Sequence, residues 1–550
     1  MRKFVIIILY ILVFWGLIPA LLIGTSNYLE VALNLRLSPS PVAGLIVLFF
    51  SLPMLGITIR QYFKFSGELP VSAYPPKNIL RRGIYNYWRH PIYLFYIITF
   101  IGIALIMGSY TMLLIVLPVF SLVTYIYTLI EENGLTKRFG KAYIYYKKRT
   151  GLIFPCFYQC IRYPSLLFFK YLFHYETKHS EFIPVSPPYF VISEHKNYLD
   201  PIILGLSLPH PVSYLTTFEM YRSPVMIWFM GLFCNIPRKR FKPDYKSNKL
   251  MLEALDKGAV IGIFPEGERS WTGETQHFKP EVLKLLLKKH YIPILPVKII
   301  GNYPAWPRWA NGYKRYKITV EIRDPFYPDS TWSAEELEKK IRDRIGNSNI
   351  PEKISEKSSC FGVGLERVFY RCSECGEFNS FKVDKSIMTC EKCGFALHIS
   401  PDLKIIFNKN GSTRHMSIDE YYRSIKVNSE DPVFKKSGRV IDKEEIIVDL
   451  QESGKCQLSA EKGLKFESVL NGDLLLSENS IICKNEHKTS FFLYQDISSV
   501  TTESNDKLQL FHHETGQLYQ LKFQKGSVLQ WQDIIISAIL QKTGRTVNMR

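Results

Sequence analysis

Long uncharged apolar runs separated by short basic stretches fill the first 150 residues, whereas residues 151–550 carry only short apolar runs set among polar positions. Residues 4–23 and 41–59 contain no charge, and residues 91–130 are forty uncharged positions interrupted at Gly108-Ser109. About 20 apolar residues cross a bilayer core, so this pattern predicts an all-α transmembrane bundle of about four spans, the last two paired as a helical hairpin. Residues 156–177 are equally aromatic but are broken by Arg162 and Lys170, which predicts interfacial helices rather than another span. Beyond them the period changes. Apolar runs at 188–193 and 258–264 predict buried strands, residues 245–257 and 279–290 have helical spacing, and the alternation predicts an α/β domain. From about 434, alternating segments at 444–448, 473–476, 480–483, 490–494, 508–511 and 519–523 predict strands, followed by an amphipathic helix at 527–541, which fits a small barrel closed by one helix.

Composition sharpens this division. Hydrophobic residues make up 47% of the chain and aromatics 14%, which excludes a disordered polymer. The net charge of +19 would suit a nucleic-acid binder, but residues 1–150 hold 15 Lys/Arg against 4 Asp/Glu, beside the apolar runs. That is a membrane topology signal. The basic segments before and after the predicted hairpin face the cytoplasm by the positive-inside rule, as do the N-terminus and everything after residue 131, so the expected location is the cytoplasmic (inner) membrane, multi-pass.

Four of the ten cysteines fall as Cys372, Cys375, Cys390 and Cys393, two Cys-x-x-Cys pairs each followed by glycine (Gly376, Gly394). This is zinc spacing, and thiolate ligation agrees with a reducing cytosol. Four thiolates leave no open position, so the expected metal is a structural zinc, and the segment resembles a zinc ribbon. No basic, aromatic-rich stripe flanks it, and no nucleic acid is expected as a partner.

At the ends of the predicted hairpin stand Arg89-His90-Pro91-Ile-Tyr93 and Glu131-Glu132, with Gly83-Ile-Tyr85 before the first and Phe139-Gly140 after the second. Cationic and acidic side chains at one membrane depth suit a zwitterionic cofactor, and they also suit ordinary interfacial anchoring. The ordered set over roughly residues 60–155 resembles the isoprenylcysteine carboxyl methyltransferase and phospholipid N-methyltransferase superfamily. By that resemblance Arg89, His90 and Tyr93 contact the methionine end of S-adenosylmethionine, and Glu131 and Glu132 bind its polar groups or offset its sulfonium charge.

Two motifs sit directly behind the predicted strands. His195-Lys-Asn-Tyr-Leu-Asp200 pairs an imidazole with a carboxylate, the arrangement of a general base held in one tautomer. Phe264-Pro-Glu-Gly-Glu-Arg-Ser270 offers a turn able to hold a phosphate. With Gly231-Leu-Phe-Cys-Asn-Ile-Pro-Arg238 and Ile292-Pro-Ile-Leu-Pro-Val-Lys298, these blocks resemble the glycerolipid acyltransferase family over about residues 165–330. The resemblance implies that His195 is the base on the acceptor hydroxyl and Asp200 its orienter, that Glu266, Gly267 and Arg269 bind the acceptor phosphate with Arg238 as a further contact, and that the donor is acyl-CoA or acyl-carrier protein. Glu268 stands where that family has threonine.

The expected layout is a methyltransferase-like membrane domain (1–155), an acyltransferase domain (156–343), a linker (344–359), a zinc ribbon (360–400) and a β-rich module (401–550) that resembles a pleckstrin-homology domain. The expected function is acyl transfer to a lysophospholipid of the 1-acylglycerol-3-phosphate type, joined to methylation of a lipid or prenyl-type acceptor. Membrane phospholipids and the acyl thioester are the expected partners, with a protein partner for the C-terminal module. Two other readings stay open: an acyltransferase on a catalytically silent anchor, and a non-enzymatic scaffold that docks partners through the ribbon and barrel.

Overall fold

A computed structural model describes residues 5, 8–9, 11–35, 38–66, 79–80, 83–140, 143–144, 146–147, 150–154, 157–185, 187–221, 223–232, 235–239, 241, 244–346, 361–409, 411–434, 439–463 and 465–547. The chain forms two compact units, Met1–Ser165 and Leu166–Arg550.

In the first unit three helices are long and apolar enough to cross a membrane: α1 (Leu12–Leu33), α2 (Pro41–Ser66) and, after the 17-residue apolar helix α3 (Pro91–Met107), α4 (Met112–Phe139). The hairpin breaks where the sequence predicts. Gly108 closes α3 in the left-handed conformation with its N–H on the Ala104 carbonyl, and Ser109 caps the next turn by accepting from Met112 N at 3.0 Å. Residues 67–78, after α2, lie outside the described residues. Helix α5 (Phe157–Phe173) is amphipathic with an apolar outer face. Phe169 and Phe173 are buried while Leu167, Phe168 and Tyr171 are exposed.

The second unit is built on a seven-stranded sheet of β1 (Glu176–Lys178), β2 (Tyr189–Ile192), β3 (Val212–Thr217), β4 (Ile236–Arg238), β5 (Val260–Ile263), β6 (Ile294–Ile300) and β7 (Thr319–Ile322). Its order is β1-β7-β6-β2-β5-β3-β4, and β6, β2, β5, β3 and β4 run parallel. Both faces of β2 are covered, which explains its unbroken apolar run. Phe190 and Ile192 join Ile261 and Ile263 against helices α7 (Tyr245–Asp256), α8 (Pro280–Lys288) and α9 (Ala334–Ile345). Tyr189 and Val191 face the other way, against helix α6 (Asp200–Ser207).

That second face does not end with the sheet. Its apolar core runs without a break from Val191, Leu295 and Val297 through Trp309 to Phe369, Leu397 and Ile405, and on to Leu458, Leu510 and Trp531. Residues 372–416 form a five-stranded antiparallel sheet, β8 (Phe381–Asp384), β9 (Ile387–Cys390), β10 (Ala396–Ile399), β11 (Ile405–Lys409) and β12 (Ser412–Met416), so the expected ribbon boundary at 400 falls inside one sheet. Of the expected linker 344–359, residues 344 and 345 belong to α9, and residues 347–360 lie outside the described residues. Helix α10 (Ile418–Ile425) leads to an antiparallel sheet of nine strands, β13 to β21, between Val440 and Phe523, with helix α11 (Val528–Thr543) packed on β19 (Ile497–Thr502) and β20 (Lys507–His512). Gly364 shows how tightly these parts approach. Its φ is +97°, and a Cβ there would come within 2.5 Å of the Trp309 carbonyl oxygen.

Candidate functional site

Four of the five parallel strands β6, β2, β5, β3 and β4 place a motif or its neighbour at the same edge. His195 follows β2, Phe264 follows β5, Arg238 ends β4, and Gly301-Asn302 follow β6. Ligands of open α/β sheets bind outside the carboxyl ends of the strands, so this edge is where chemistry is expected.

Asp200, fully buried at the first turn of α6, organises it. Its Oδ2 accepts from the backbone N–H groups of Lys196 (2.6 Å) and Asn197 (2.7 Å) and lies 3.1 Å from His195 Nδ1, while Oδ1 accepts from Asn302 Nδ2 at 2.8 Å. A carboxylate receiving those donors can only accept, so the ring proton sits on Nδ1 and Nε2 is left as the basic nitrogen. Burial lowers the His195 pKa below its ordinary 6.5, and Asp200 opposes that shift. The imidazole is therefore neutral at physiological pH. It stacks on Phe264 at a ring separation of 4.4 Å.

The Phe264–Ser270 turn meets this motif through the backbone. Ser270 N donates to His195 O at 3.0 Å, and the buried Glu266 accepts from His195 N at 3.0 Å and from Gln276 N at 3.3 Å. Glu266 thus points into the frame, which changes its expected role from phosphate contact to support. Gly267 is exposed at φ +75°, and a Cβ there would meet the Lys279 side chain at 2.4 Å, so only glycine lets that lysine lie across the turn. The Arg269 guanidinium lies 3.3 Å over the Tyr198 ring. Arg238 is exposed at the sheet edge, four strands from β6 in sheet order, and no hydrogen bond joins it to His195 or Arg269 among the described residues. Phe233 and Cys234 of its motif lie outside the described residues.

In the membrane unit the five expected residues come together. Arg89 Nε lies 2.8 Å from Glu132 Oε1, Tyr93 OH donates to Glu131 Oε2 at 3.2 Å, and the His90 nitrogens stand 3.6 Å from Glu131 and 3.5 Å from Glu132. Lys147 adds a 2.6 Å contact to Glu132, and Arg89 donates to the carbonyls of Lys147 and Thr150. Glu132 is buried and Glu131 partly open, its side chain 30% exposed. Cations gathered beside a partly exposed carboxylate have the charge pattern that suits a zwitterionic ligand such as the methionine end of S-adenosylmethionine.

The four cysteine sulfurs lie within 4.8 Å of one another, with Cys372 to Cys393 and Cys375 to Cys390 both at 3.7 Å. Tetrahedral Zn–S bonds of about 2.3 Å space sulfurs by roughly 3.8 Å, so the cluster fits zinc.

Residues 174–300 match the family described as Acyltransferase, and residues 42–142 match the family described as Phospholipid methyltransferase. One chain thus joins a segment that matches each of the two families. The acyltransferase segment is similar to a chloroplastic 1-acyl-sn-glycerol-3-phosphate acyltransferase of Brassica napus (29% identity, 26% of this chain, 41% of that protein). It is likewise similar to a 1-acyl-sn-glycerol-3-phosphate acyltransferase of Borreliella burgdorferi (30% identity, 22% of this chain, 50% of that protein). The solved 1-acyl-sn-glycerophosphate acyltransferase of Thermotoga maritima shares 26% identity over 34% of this chain and 75% of its own, with a TM-score of 0.31. The chain spans about half the length of the curated relatives it matches.

Three residues of the acyltransferase segment escape motif reading. Asn302 completes the Asp200 shell from behind Gly301, Lys279 lies over Gly267, and Lys196 is wholly buried 3.1 Å from Glu194 Oε2. Only Lys196 gave a signal, as a charged residue inside the first motif.

Burial raises the Glu266 pKa from 4.5 to about 8. The native state then holds a proton that the unfolded chain releases between these values, so this group's contribution to stability falls as pH rises through that window. Glu266→Gln cannot ionise and keeps an acceptor for His195 N. Its Tm, followed by scanning fluorimetry, is expected to decline less than wild type between pH 5 and 8; parallel curves would show that Glu266 stays ionised.

Proposed function

We propose that the chain is a membrane-bound enzyme that transfers a fatty acyl group from acyl-CoA or acyl-carrier protein to the hydroxyl of a lysophospholipid of the 1-acylglycerol-3-phosphate type. The observation that carries this reading is the His195–Asp200 pair, with a neutral imidazole whose Nε2 is the basic nitrogen. Nε2 takes the hydroxyl proton as the acceptor oxygen attacks the thioester carbonyl, the C–S bond breaks, and the proton passes to the departing thiolate. No acyl-enzyme is needed. Arg269 and the backbone N–H groups around Gly267 hold the acceptor phosphate, and Asn302 keeps Asp200 aligned.

For the membrane unit the reading is methyl transfer to a lipid or prenyl-type acceptor. Arg89 and His90 would hold the carboxylate of S-adenosylmethionine and Glu131 its ammonium, while Glu132, already matched by Arg89 and Lys147, supports them. When bound, that cofactor supplies an electrophilic methyl group; the protein's part is to orient it and to exclude water. The soluble parts face the cytoplasm, α3 serves as the fourth span, and the four cysteines hold a structural zinc.

A second reading, a silent membrane anchor, is favoured by the same Glu132 contacts, which balance the cluster's charge without a ligand. Lipid mass spectrometry on cells expressing wild type, His195→Ala and Glu131→Gln separates the readings. Two active centres deplete two different products. A silent anchor leaves Glu131→Gln indistinguishable from wild type, and unchanged lipids in His195→Ala would leave only a scaffold.

A further inference from the structure

The connection between β3 and β4 carries an exposed apolar surface that the core of the second unit does not use. It consists of a short turn, Phe218–Tyr221, and the nine-residue helix Pro224–Leu232, and it leads to β4, the last strand of the sheet. Val225, Met226, Ile227 and Trp228 follow one another at the start of that helix, and all four are exposed, Val225 to 69%. Four consecutive positions sweep nearly the whole circumference of a helix, so this end is apolar all round. Met220 is exposed just before it.

The sheet fixes where this end lies. β3 runs parallel to β5, and β5 to β2, so Thr217 and the segment that follows it stand at the carboxyl edge, the edge that bears His195. The far end of the same edge is also apolar on its outside. β7 starts opposite Ile300, the last residue of β6, and Ile318 N donates to Phe173 O at 3.0 Å just before it, which brings the end of α5 with the exposed Phe168 and Tyr171 to that edge. Between the two, behind β2, Tyr198 and Ile202 are exposed.

Charge lies beside the helix. Residues 238–249, directly after β4, contain six Lys/Arg and one Asp, and Arg238, Lys239, Lys246 and Lys249 are exposed. An apolar tip next to a cationic stretch has the chemistry that docks on an anionic bilayer: the apolar side chains enter the acyl boundary while Lys and Arg meet the headgroups. An acidic protein would also satisfy the cations, but it would leave four apolar side chains in water. Nine residues extend about 14 Å, less than half of a hydrocarbon core, so the helix is long enough to dip and too short to cross. The partner is supplied by the chain itself, which carries three helices long and apolar enough to span a membrane.

We propose that the helix Pro224–Leu232 and the basic stretch 238–249 form a second membrane-docking element, which seats the carboxyl edge of the sheet on an anionic leaflet. This goes beyond the acyl-transfer reading and holds whatever reaction that edge performs.

The test is photolabelling of the full chain in proteoliposomes of phosphatidylcholine, alone or in equal mixture with phosphatidylglycerol, doped with a phosphatidylcholine that carries a diazirine on its acyl chain. Adducts are mapped by peptide mass spectrometry, with the spans as internal standard. In the mixed vesicles adducts are expected within residues 224–232. Lys239→Gln/Lys246→Gln/Lys249→Gln should lower that signal relative to the spans by about threefold or more, as should omission of phosphatidylglycerol. Val225→Ser/Ile227→Ser should also lower it with Tm unchanged, because both side chains are exposed. Labelled spans with 224–232 bare would overturn the proposal. So would adducts at 224–232 that ignore both the lipid charge and the lysine substitutions, which would separate the basic stretch from the lipid surface.

Discussion

His195→Ala is expected to lower kcat for acyl transfer by about 10²- to 10⁴-fold, the range of a positioned general base, and to leave Tm within a few degrees of wild type. The second half follows from how the residue is held. Its N–H and carbonyl carry the frame contacts to Glu266 and Ser270, and its ring makes one hydrogen bond, to Asp200. Removing the ring removes the base and spares the frame. Asp200→Asn should behave differently, losing both activity and stability, because one oxygen there gathers three donors. The pH profile adds a sign. The base works only when neutral, and burial lowers its pKa, so the acid limb of kcat/KM should fall below the ordinary histidine value of 6.5. A stopped-time assay with thiol detection checks the activities and the pH profile, and thermal melts check the stabilities. Full activity in folded His195→Ala would remove the acyl-transfer mechanism.

The largest stability effect is expected at the cysteine cluster. Cys390→Ser should reduce zinc from one per chain to near zero by atomic emission and lower Tm by at least about 10 °C, given the large share of folding energy that structural zinc supplies. The effect should spread, because the cluster is fastened to the C-terminal helix α11. Tyr370, two residues before Cys372, donates to Asp533 at 2.8 Å, Tyr422 donates to the same oxygen at 2.7 Å, and Asn379 donates to Gln530 at 2.9 Å. Since α11 packs under β19, acyl transfer should decline with zinc content. A variant that loses the metal and keeps its Tm would mean that the apolar core alone folds this region.

What could be read in the residue pattern follows from range. Local signals survived: the unbroken run of β2, the hairpin break at Gly108 and the Cys-x-x-Cys-Gly knuckles are written within a few residues. Three strands of the C-terminal sheet are not legible, the two-residue β13 (Val440–Ile441) and two longer ones. β15 (Lys455–Lys462) and β19 are rich in Ser, Thr and Lys, and they hold their place through neighbours already set rather than through apolar alternation. The site shows the same limit. His195 and Asp200 are four residues of turn apart, whereas Asn302 reaches its partner only once β6 has aligned beside β2. Glu266 was visible as a motif residue, but the direction of its carboxylate depends on the Gln276 turn that closes over it.

The unbroken apolar face that runs from Val191 to Trp531 has a practical corollary for anyone dissecting the protein. Recombinant fragments ending behind α9 would leave Trp309, Tyr316 and Ile318 uncovered, and such fragments should precipitate or need solubilising partners. For the same reason calorimetry on residues 166–550 should register one cooperative endotherm rather than three. Exchange of the tail between homologous genes would then succeed only where both sides of that seam were inherited together.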